Sequence, residues 1–270
     1  MKNLVTFFLL GLFGTFIVNS FTPKGKYKKG ISDNIIGYVP IEIENFLKEF
    51  HKDKFISATE KKDEKICIKG TTNIFQSDCN NYYNNVWNGG CTIGKEVDGT
   101  CGPVAATNFI EYYKNVDGFR TNVDPIRVFC CIEDMALEKK LTSRTKGTNV
   151  LNMSSILTNS FKIYSSNSTR TGANKTDMVR NKIRSEIANG KLCILALTDH
   201  FCVCCGVTRY EVKYYKNSKK DVIGTKTYEF FIVNDGKMGG PGTRLFYSDY
   251  VANDYLFLLN GRHAATYLKR

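Results

Sequence analysis

The stretch Gly99-Thr-Cys-Gly-Pro-Val-Ala-Ala-Thr-Asn-Phe-Ile-Glu-Tyr-Tyr-Lys114 decides how the rest of the chain is interpreted. Pro103 stands where the N–H of a first helical turn would have no partner, and apolar residues then recur at helical spacing. We therefore predict an amphipathic helix that begins at Cys101. The free N–H groups and the dipole at a helix start favour the thiolate, which is the nucleophilic form of cysteine. The alternative is a small buried side chain, as most free cysteines are.

A histidine follows about a hundred residues later, between two runs that are typical of strands. Leu192 to Leu197 is an apolar run, and His200 opens a second run, His200-Phe-Cys-Val-Cys-Cys-Gly206. Alternate residues of a strand share a face, which groups His200 with Cys202 and Cys204. Among the three histidines of the chain, only His200 has strand-like sequence on both sides. It is therefore a candidate general base for an activated cysteine.

A third polar feature ends the aromatic and β-branched run Tyr228-Glu-Phe-Phe-Ile-Val-Asn-Asp-Gly236. Asn234 and Asp235 both carry side-chain oxygens that can accept a hydrogen bond from an imidazole N–H. A group of this kind fixes the tautomer and the orientation of a catalytic histidine. The alternative is an ordinary turn, because Asn-Asp-Gly is a common turn sequence.

The order cysteine, histidine, then Asn or Asp resembles the papain-like cysteine peptidases, and most of all the bacterial streptopain-like and bacteriocin-processing groups. The matching segments are Cys101-Gly-Pro-Val-Ala105, His200 to Gly206 and Val233-Asn-Asp-Gly236. The resemblance covers roughly residues 70–260. It implies that Cys101 attacks a peptide carbonyl and that His200 is the base. The streptopain-like group favours Asn234 as the residue that orients His200, whereas the bacteriocin-processing group favours Asp235.

The same resemblance implies a glutamine that stabilises the oxyanion and precedes the cysteine. The chain has a single glutamine, Gln76, which lies 25 residues before Cys101. Streptopain-like sequences have a comparably long spacing with a Tyr-Asn pair in between, and Tyr83-Asn84 matches that pair. We therefore assign Gln76 as the oxyanion donor, with a surface glutamine as the alternative. The tryptophan that follows the strand end in these families is missing here, so this shield of the catalytic pair is absent, or Trp87 or Met238 replaces it.

The fold class predicted from the periodicity is α+β. Helical patterns are followed by strand patterns, and the resemblance implies a papain-like two-lobed fold, with a helical lobe followed by an antiparallel β lobe and a cleft between them. The helical patterns cover residues 101–115, 124–141, 149–160 and 174–189, and the strand patterns cover residues 191–198, 201–214, 226–234, 243–248 and 254–259.

The N-terminus has the pattern of a targeting segment. A lysine precedes an apolar run at residues 4–18, which predicts a signal peptide at residues 1–20 and a secreted or cell-surface protein. Lysines at residues 24–29 disfavour export, so an uncleaved membrane anchor at residues 4–18 is the alternative. Residues 21–70 are predicted to be a pro-segment or an N-terminal extension, and residues 71–270 the peptidase domain.

The composition of the chain indicates which classes of binding partner to expect. A net charge of +12 favours anionic surfaces such as a membrane or an acidic cell-surface polymer. No basic stripe interleaved with aromatic residues is present, so nucleic acid is not expected. The ten cysteines include the segment Cys202-Val-Cys-Cys205, but it lacks a second ligand pair of the kind a metal site needs, so no cofactor or metal is expected. Cys79 and Cys91 are the first candidates for a disulfide bond if the protein is exported.

The sequence therefore predicts an exported cysteine peptidase that acts on a protein or peptide substrate. Two alternatives remain at this stage: an amidase of cell-wall peptides on the same fold, and a non-catalytic binding module with a decayed peptidase site.

Overall fold

The structure of the protein is a computed structural model. Its described residues are 43–48, 55–87, 97–116, 123–164, 167–172, 176–197, 200–216, 221–236, 243–248 and 255–260. The predicted signal peptide, the alternative anchor at residues 4–18, Cys91 and Met238 lie outside these residues. Among the helices that are described, none combines the length and the apolar character needed to cross a bilayer.

The described residues contain six α-helices, of which the last four lie close to the predicted helical patterns and the first two match none of those patterns. They are α1 (Ile43–Lys48), α2 (Gln76–Tyr82), α3 (Cys101–Val116), α4 (Pro125–Glu138), α5 (Met153–Tyr164) and α6 (Thr176–Ala188). Helix α3 begins at Cys101, as predicted. The Asp124 side chain caps α4 by accepting from the N–H of Ile126 at 3.0 Å. Gly190 follows α6 with a φ of +71°, the left-handed conformation that ends many helices.

The strands form one large antiparallel sheet and a small hairpin. Their bounds are β1 (Phe55–Glu60), β2 (Ile66–Cys67), β3 (Thr142–Ser143), β4 (Gly147–Thr148), β5 (Asn167–Gly172), β6 (Cys193–Leu197), β7 (His200–Tyr215), β8 (Val222–Asn234), β9 (Thr243–Tyr247) and β10 (Tyr255–Asn260). The large sheet has the order β5-β10-β6-β7-β8-β9, and β3 pairs with β4. Helices and an antiparallel sheet in one chain confirm the predicted α+β class.

Strand β7 is the longest strand and organises the sheet. On one side it pairs with β8 along nearly its whole length. On the other side β6 pairs with its first five residues, and then β2 and β1 pair with its second half. Strands β1, β2 and β5 were not predicted, because each is held by pairing and lacks a clear alternation of apolar residues. The N-terminal region at residues 21–70 thus contributes two strands to the sheet.

The two faces of the first half of β7 are covered by different helices. Phe201, Val203 and Cys205 pack with the apolar face of α3, whereas Cys202 and Cys204 pack with apolar residues of α6 on the opposite face. The predicted alternation is therefore confirmed from Phe201 to Cys205. A bulge between Cys204 and Gly206 then reverses the pattern, since Val207 joins the cluster on the α6 side.

Candidate active site

The start of α3 is built by close contacts between backbones, which explains the glycines around Cys101. Gly99 has a φ of +66°, and Gly147 on β4 packs so closely that a Cβ there would lie 2.7 Å from the Gly99 carbonyl oxygen. A Cβ on Gly102 would lie 2.4 Å from Oγ1 of Thr148. Only glycine fits at these contacts. The β3–β4 hairpin therefore forms a fixed wall beside the first turn of α3.

Cys101 is the first residue of α3 and is partly exposed. Its Sγ lies 4.0 Å from the carbonyl oxygen of Gly99, and the first turn of the helix carries no acidic residue that would oppose the positive end of the dipole. The Cys101 side chain packs against the core cluster that also contains Phe201, the neighbour of His200. This environment suits a nucleophilic thiol.

His200 is buried, with 4% of its surface exposed, and it opens β7 opposite Leu197. Its ring Nε2 lies 2.7 Å from the main-chain carbonyl oxygen of Asp235. A carbonyl oxygen can only accept a hydrogen bond, so Nε2 carries the proton in this contact. The neutral ring then has its lone pair on Nδ1, which is the form that a general base requires.

The Nε2 of His200 contacts the main chain at Asp235, whereas the sequence suggested a side chain as the orienting group, either that of Asn234 or that of Asp235. The side chain of Asn234 lies elsewhere: Nδ2 donates to the carbonyl oxygen of Thr72 at 3.2 Å, and Oδ1 accepts from the Cys205 thiol at 3.8 Å. Adjacent strand residues face opposite ways, and the side chain of Asn234 lies with that of Cys205 on the α3 side of the sheet. The relative importance of the two side chains for activity stays a prediction.

The segment at residues 72–76 is fixed between α3 and the end of β8. Asn234 holds the carbonyl of Thr72, and the Asn108 amide on α3 accepts from Ile74 N–H at 2.8 Å and donates to its carbonyl oxygen at 3.4 Å. The backbone N–H of Gln76 then donates to the carbonyl oxygen of Gly236 at 2.6 Å. Gln76 is therefore held directly beside the strand end that contacts His200.

Helix α2 also connects Gln76 to the loop before Cys101. Asn80, one turn after Gln76, accepts from the Thr100 hydroxyl at 2.5 Å. Residues four apart share a helix face, so Gln76 lies on the face that meets this loop. Gly236, which accepts from Gln76, also packs against the first turn of α3: a Cβ on Gly236 would lie 2.8 Å from Cγ1 of Val104. The Gln76 side chain is half-buried, and within the described part of the chain its amide has no hydrogen-bond partner.

The Tyr83-Asn84 pair, which the sequence linked to Gln76 by resemblance alone, has a structural role. The Asn84 side chain accepts from Val97 N–H at 2.9 Å and donates to its carbonyl oxygen at 3.1 Å. Val97 leads into the loop before Cys101. Trp87 donates from Nε1 to Asp134 of α4 at 2.7 Å, which gives the single tryptophan a contact on the helical side of the molecule.

The sequence did not single out Asn80, Asn108 or Thr148, which hold this site together. Asn108 left a detectable signal, because it is a polar residue on the apolar face of a predicted amphipathic helix, and it is 1% exposed. Its amide satisfies both polar groups of one backbone unit. The contacts of Asn80 and Thr148 cross between distant segments and carry no local pattern.

Cys101 is partly exposed, whereas six of the other thiols in the described part of the chain are buried. Burial raises the pKa of Cys130 and of Cys205 to about 12. A second set of buried thiols also has its pKa raised by burial, namely Cys79, Cys193 and Cys204. The pKa of Cys131 is raised by partial burial and by Asp134. Cys79 is a free thiol here, and its predicted partner Cys91 lies outside the described residues.

Comparison with known proteins shows a distant structural likeness. No protein-family model and no curated protein matched the sequence. Among solved structures, the chain is similar to UfSP from C. elegans, with 12% sequence identity and a TM-score of 0.42; the match covers 73% of this chain and 34% of that one. The aligned part of this chain thus spans about a third of the length of UfSP. A likeness this distant carries no argument about activity, which must rest on the site itself.

Proposed function

We propose that the protein is a papain-like cysteine peptidase. The observation that carries the proposal is the junction of three segments: the start of α3 with Cys101, the held segment that ends at Gln76, and the strand end that fixes His200 through its Nε2. Each segment supplies one of the groups that acyl transfer needs, namely a nucleophile, an oxyanion donor and a base.

In the proposed reaction, Nδ1 of His200 takes the proton of the Cys101 thiol, and the resulting thiolate attacks the carbonyl carbon of a peptide bond and forms a tetrahedral intermediate. The Gln76 amide and the backbone N–H of Cys101 donate hydrogen bonds to the oxyanion. The His200 imidazolium then gives its Nδ1 proton to the leaving amine, which leaves an acyl-enzyme on Sγ. His200 next takes a proton from water as the water attacks the thioester, and the product carboxylate and the thiol are released.

The proposal extends to where the enzyme acts. The signal-peptide pattern at residues 1–20 supports export, with an anchor at residues 4–18 as the alternative. The net charge of +12 favours binding to anionic surfaces. N-terminal sequencing of the protein recovered from its host distinguishes the two: cleavage after Ser20 supports export, and an intact Met1 in the membrane fraction supports the anchor.

Covalent labelling tests the proposed chemistry. A peptidyl epoxide should modify the protein once, at Cys101, as read by intact mass and peptide mapping. Brief iodoacetamide treatment near neutral pH should also label Cys101 faster than Cys131, which is exposed but has a raised pKa. Cys101→Ala should lose both the epoxide adduct and hydrolysis of casein. An inert Cys101 in a folded protein would exclude the peptidase.

A further inference from the structure

The second half of the sheet and α6 line a half-open cavity of about 220 Å³ that is separate from the proposed active site. Its charged lining comes from Arg180 and Arg184 on α6, Arg209 on β7, and Lys226 and Glu229 on β8. Glu229 lies six residues before Asp235 on the same strand path, which corresponds to about 20 Å at 3.3 Å per residue. The cavity therefore lies too far from the proposed active site to take part in the peptidase reaction.

The cavity carries a surplus of positive charge. Glu229 is 8% exposed, and both of its oxygens accept from Arg184, with Nε at 2.9 and 2.7 Å and Nη2 at 2.7 Å. Arg209 donates from Nε to Glu229 at 3.1 Å and from Nη1 to Glu64 at 2.6 Å. The carboxylates fix these two guanidinium groups in place. With Arg180 and Lys226, four cationic side chains line the cavity against the single carboxylate of Glu229.

A buried hydroxyl lies in the same lining. Ser248, which follows β9, is 1% exposed, and its Oγ has no hydrogen-bond partner in the described part of the chain. An unsatisfied buried hydroxyl costs free energy unless a ligand supplies the partner. Because a hydroxyl can donate, an anion in the cavity would satisfy Ser248 and offset the surplus charge at once.

We infer that this cavity binds a phosphate-type oxyanion, either free or as a small monoester. Guanidinium groups with fixed orientation suit the oxygens of a phosphoryl group, and a dianion matches the surplus of cationic side chains better than a single carboxylate does. The volume is below that of sites for drug-sized ligands, about 300–1,000 Å³. It admits one phosphoryl group with a short attachment.

Thermal unfolding with inorganic phosphate, at constant ionic strength set by sodium chloride, tests this inference. A ligand that binds the folded state raises Tm in a saturable way. We expect Lys226→Gln to weaken phosphate binding about tenfold, because it removes one charge-assisted hydrogen bond. Ser248→Ala should weaken binding about fivefold, because it removes one hydrogen bond from a neutral hydroxyl. Lys226 is exposed, so its substitution leaves folding intact. Lys213→Gln, an exposed cation on β7 outside the cavity, is the matched control and should bind as the unaltered protein does.

Two further arms identify the source of the phosphoryl group. Glycerol 3-phosphate should raise Tm if the natural ligand is a small monoester, and co-sedimentation with phosphatidic acid vesicles, against phosphatidylcholine alone, tests a lipid headgroup. Binding in any arm that Lys226→Gln weakens and Lys213→Gln does not supports the inference. It is overturned if no arm shows saturable binding, or if both variants change binding equally. Casein hydrolysis should be the same in both variants, so this result is independent of the proposed peptidase activity.

Discussion

Gln76 is the residue whose proposed role depends most on one side chain. Because the amide would donate to the oxyanion mainly in the transition state, Gln76→Ala should lower kcat by about two to three orders of magnitude and leave KM nearly unchanged. Alkylation of Cys101 should survive, since it forms no oxyanion. Steady-state kinetics on a peptide substrate provide the measurement, with Ser77→Ala on the same helix as the control. A rise in KM at constant kcat would assign Gln76 to substrate binding instead.

Gly102 is the second position at which a single atom matters. Its missing Cβ leaves room for Thr148, so Gly102→Ala should destabilise the protein by about 1–3 kcal/mol, the range for overpacking a closely packed site. Thr148→Gly should remove most of that cost in the double variant. Urea unfolding measures both. Gly224→Ala is the control, because a Cβ there would make an ordinary 3.5 Å contact. Equal effects of the two alanines would contradict the steric explanation.

At the scale of elements, Asn108 couples α3 to the segment that ends at Gln76. Asn108→Ala leaves the N–H and the carbonyl of Ile74 unsatisfied, which we expect to cost about 1–3 kcal/mol of stability. It should also lower kcat, because Gln76 loses its fixed position, while alkylation of Cys101 continues. Asn234→Ala loosens the same segment at Thr72, so the two changes should be non-additive in kcat. A fall in Tm with unchanged kcat would make Asn108 a purely structural residue.

Helix α4 contains a buried acid that makes stability depend on pH. Glu133 is fully buried, and its pKa is raised from 4.5 to about 8, first by burial and then by Asp134, against a smaller opposite effect of Arg144. The folded protein keeps this carboxyl protonated, whereas the unfolded chain ionises it above about pH 4.5. Its contribution is therefore fully present below pH 4.5 and is lost as the pH rises towards 8.

Glu133→Gln tests that dependence with a neutral side chain of the same shape. The variant should be more stable than the unaltered protein at pH 8, by a difference on the order of 4 kcal/mol, and nearly equal to it at pH 4.5. Urea unfolding at both pH values gives the comparison. Glu138→Gln, an exposed residue of the same helix, should leave the pH profile unchanged. A variant that is less stable at pH 8 would contradict the raised pKa.

For the whole molecule, the success of sequence analysis depended on how local each signal is. The start of α3 and the alternation from Phe201 to Cys205 in β7 are each set within one segment, and they were predicted. Strands β1, β2 and β5 exist because of pairing with distant strands, so their own residues carry little trace of them. At the site, candidate residues could be named from local patterns. The carbonyl of Asp235 could not, because every residue has one and only the fold selects it.

The N-terminal boundary is the last question at this scale, since a pro-segment at residues 21–70 and an integral part of the domain predict different outcomes. Phe46, Leu47 and Ile56 are buried in a cluster with Val212 and Phe230 of the sheet. Full burial of such side chains contributes about 1.5–3 kcal/mol each, which is a large share of the 5–15 kcal/mol typical of a domain.

A chain that begins at residue 71 should therefore lose cooperative unfolding and aggregate. It lacks α1, β1 and β2, so the second half of β7 becomes an unpaired edge that other chains can join. A chain that begins at residue 43 keeps these elements and should unfold cooperatively, which makes it the matched control. Thermal unfolding and gel filtration of both chains give the measurement. If the chain from residue 71 is monomeric and has the Tm of the longer one, then residues 21–70 are dispensable and the pro-segment prediction holds.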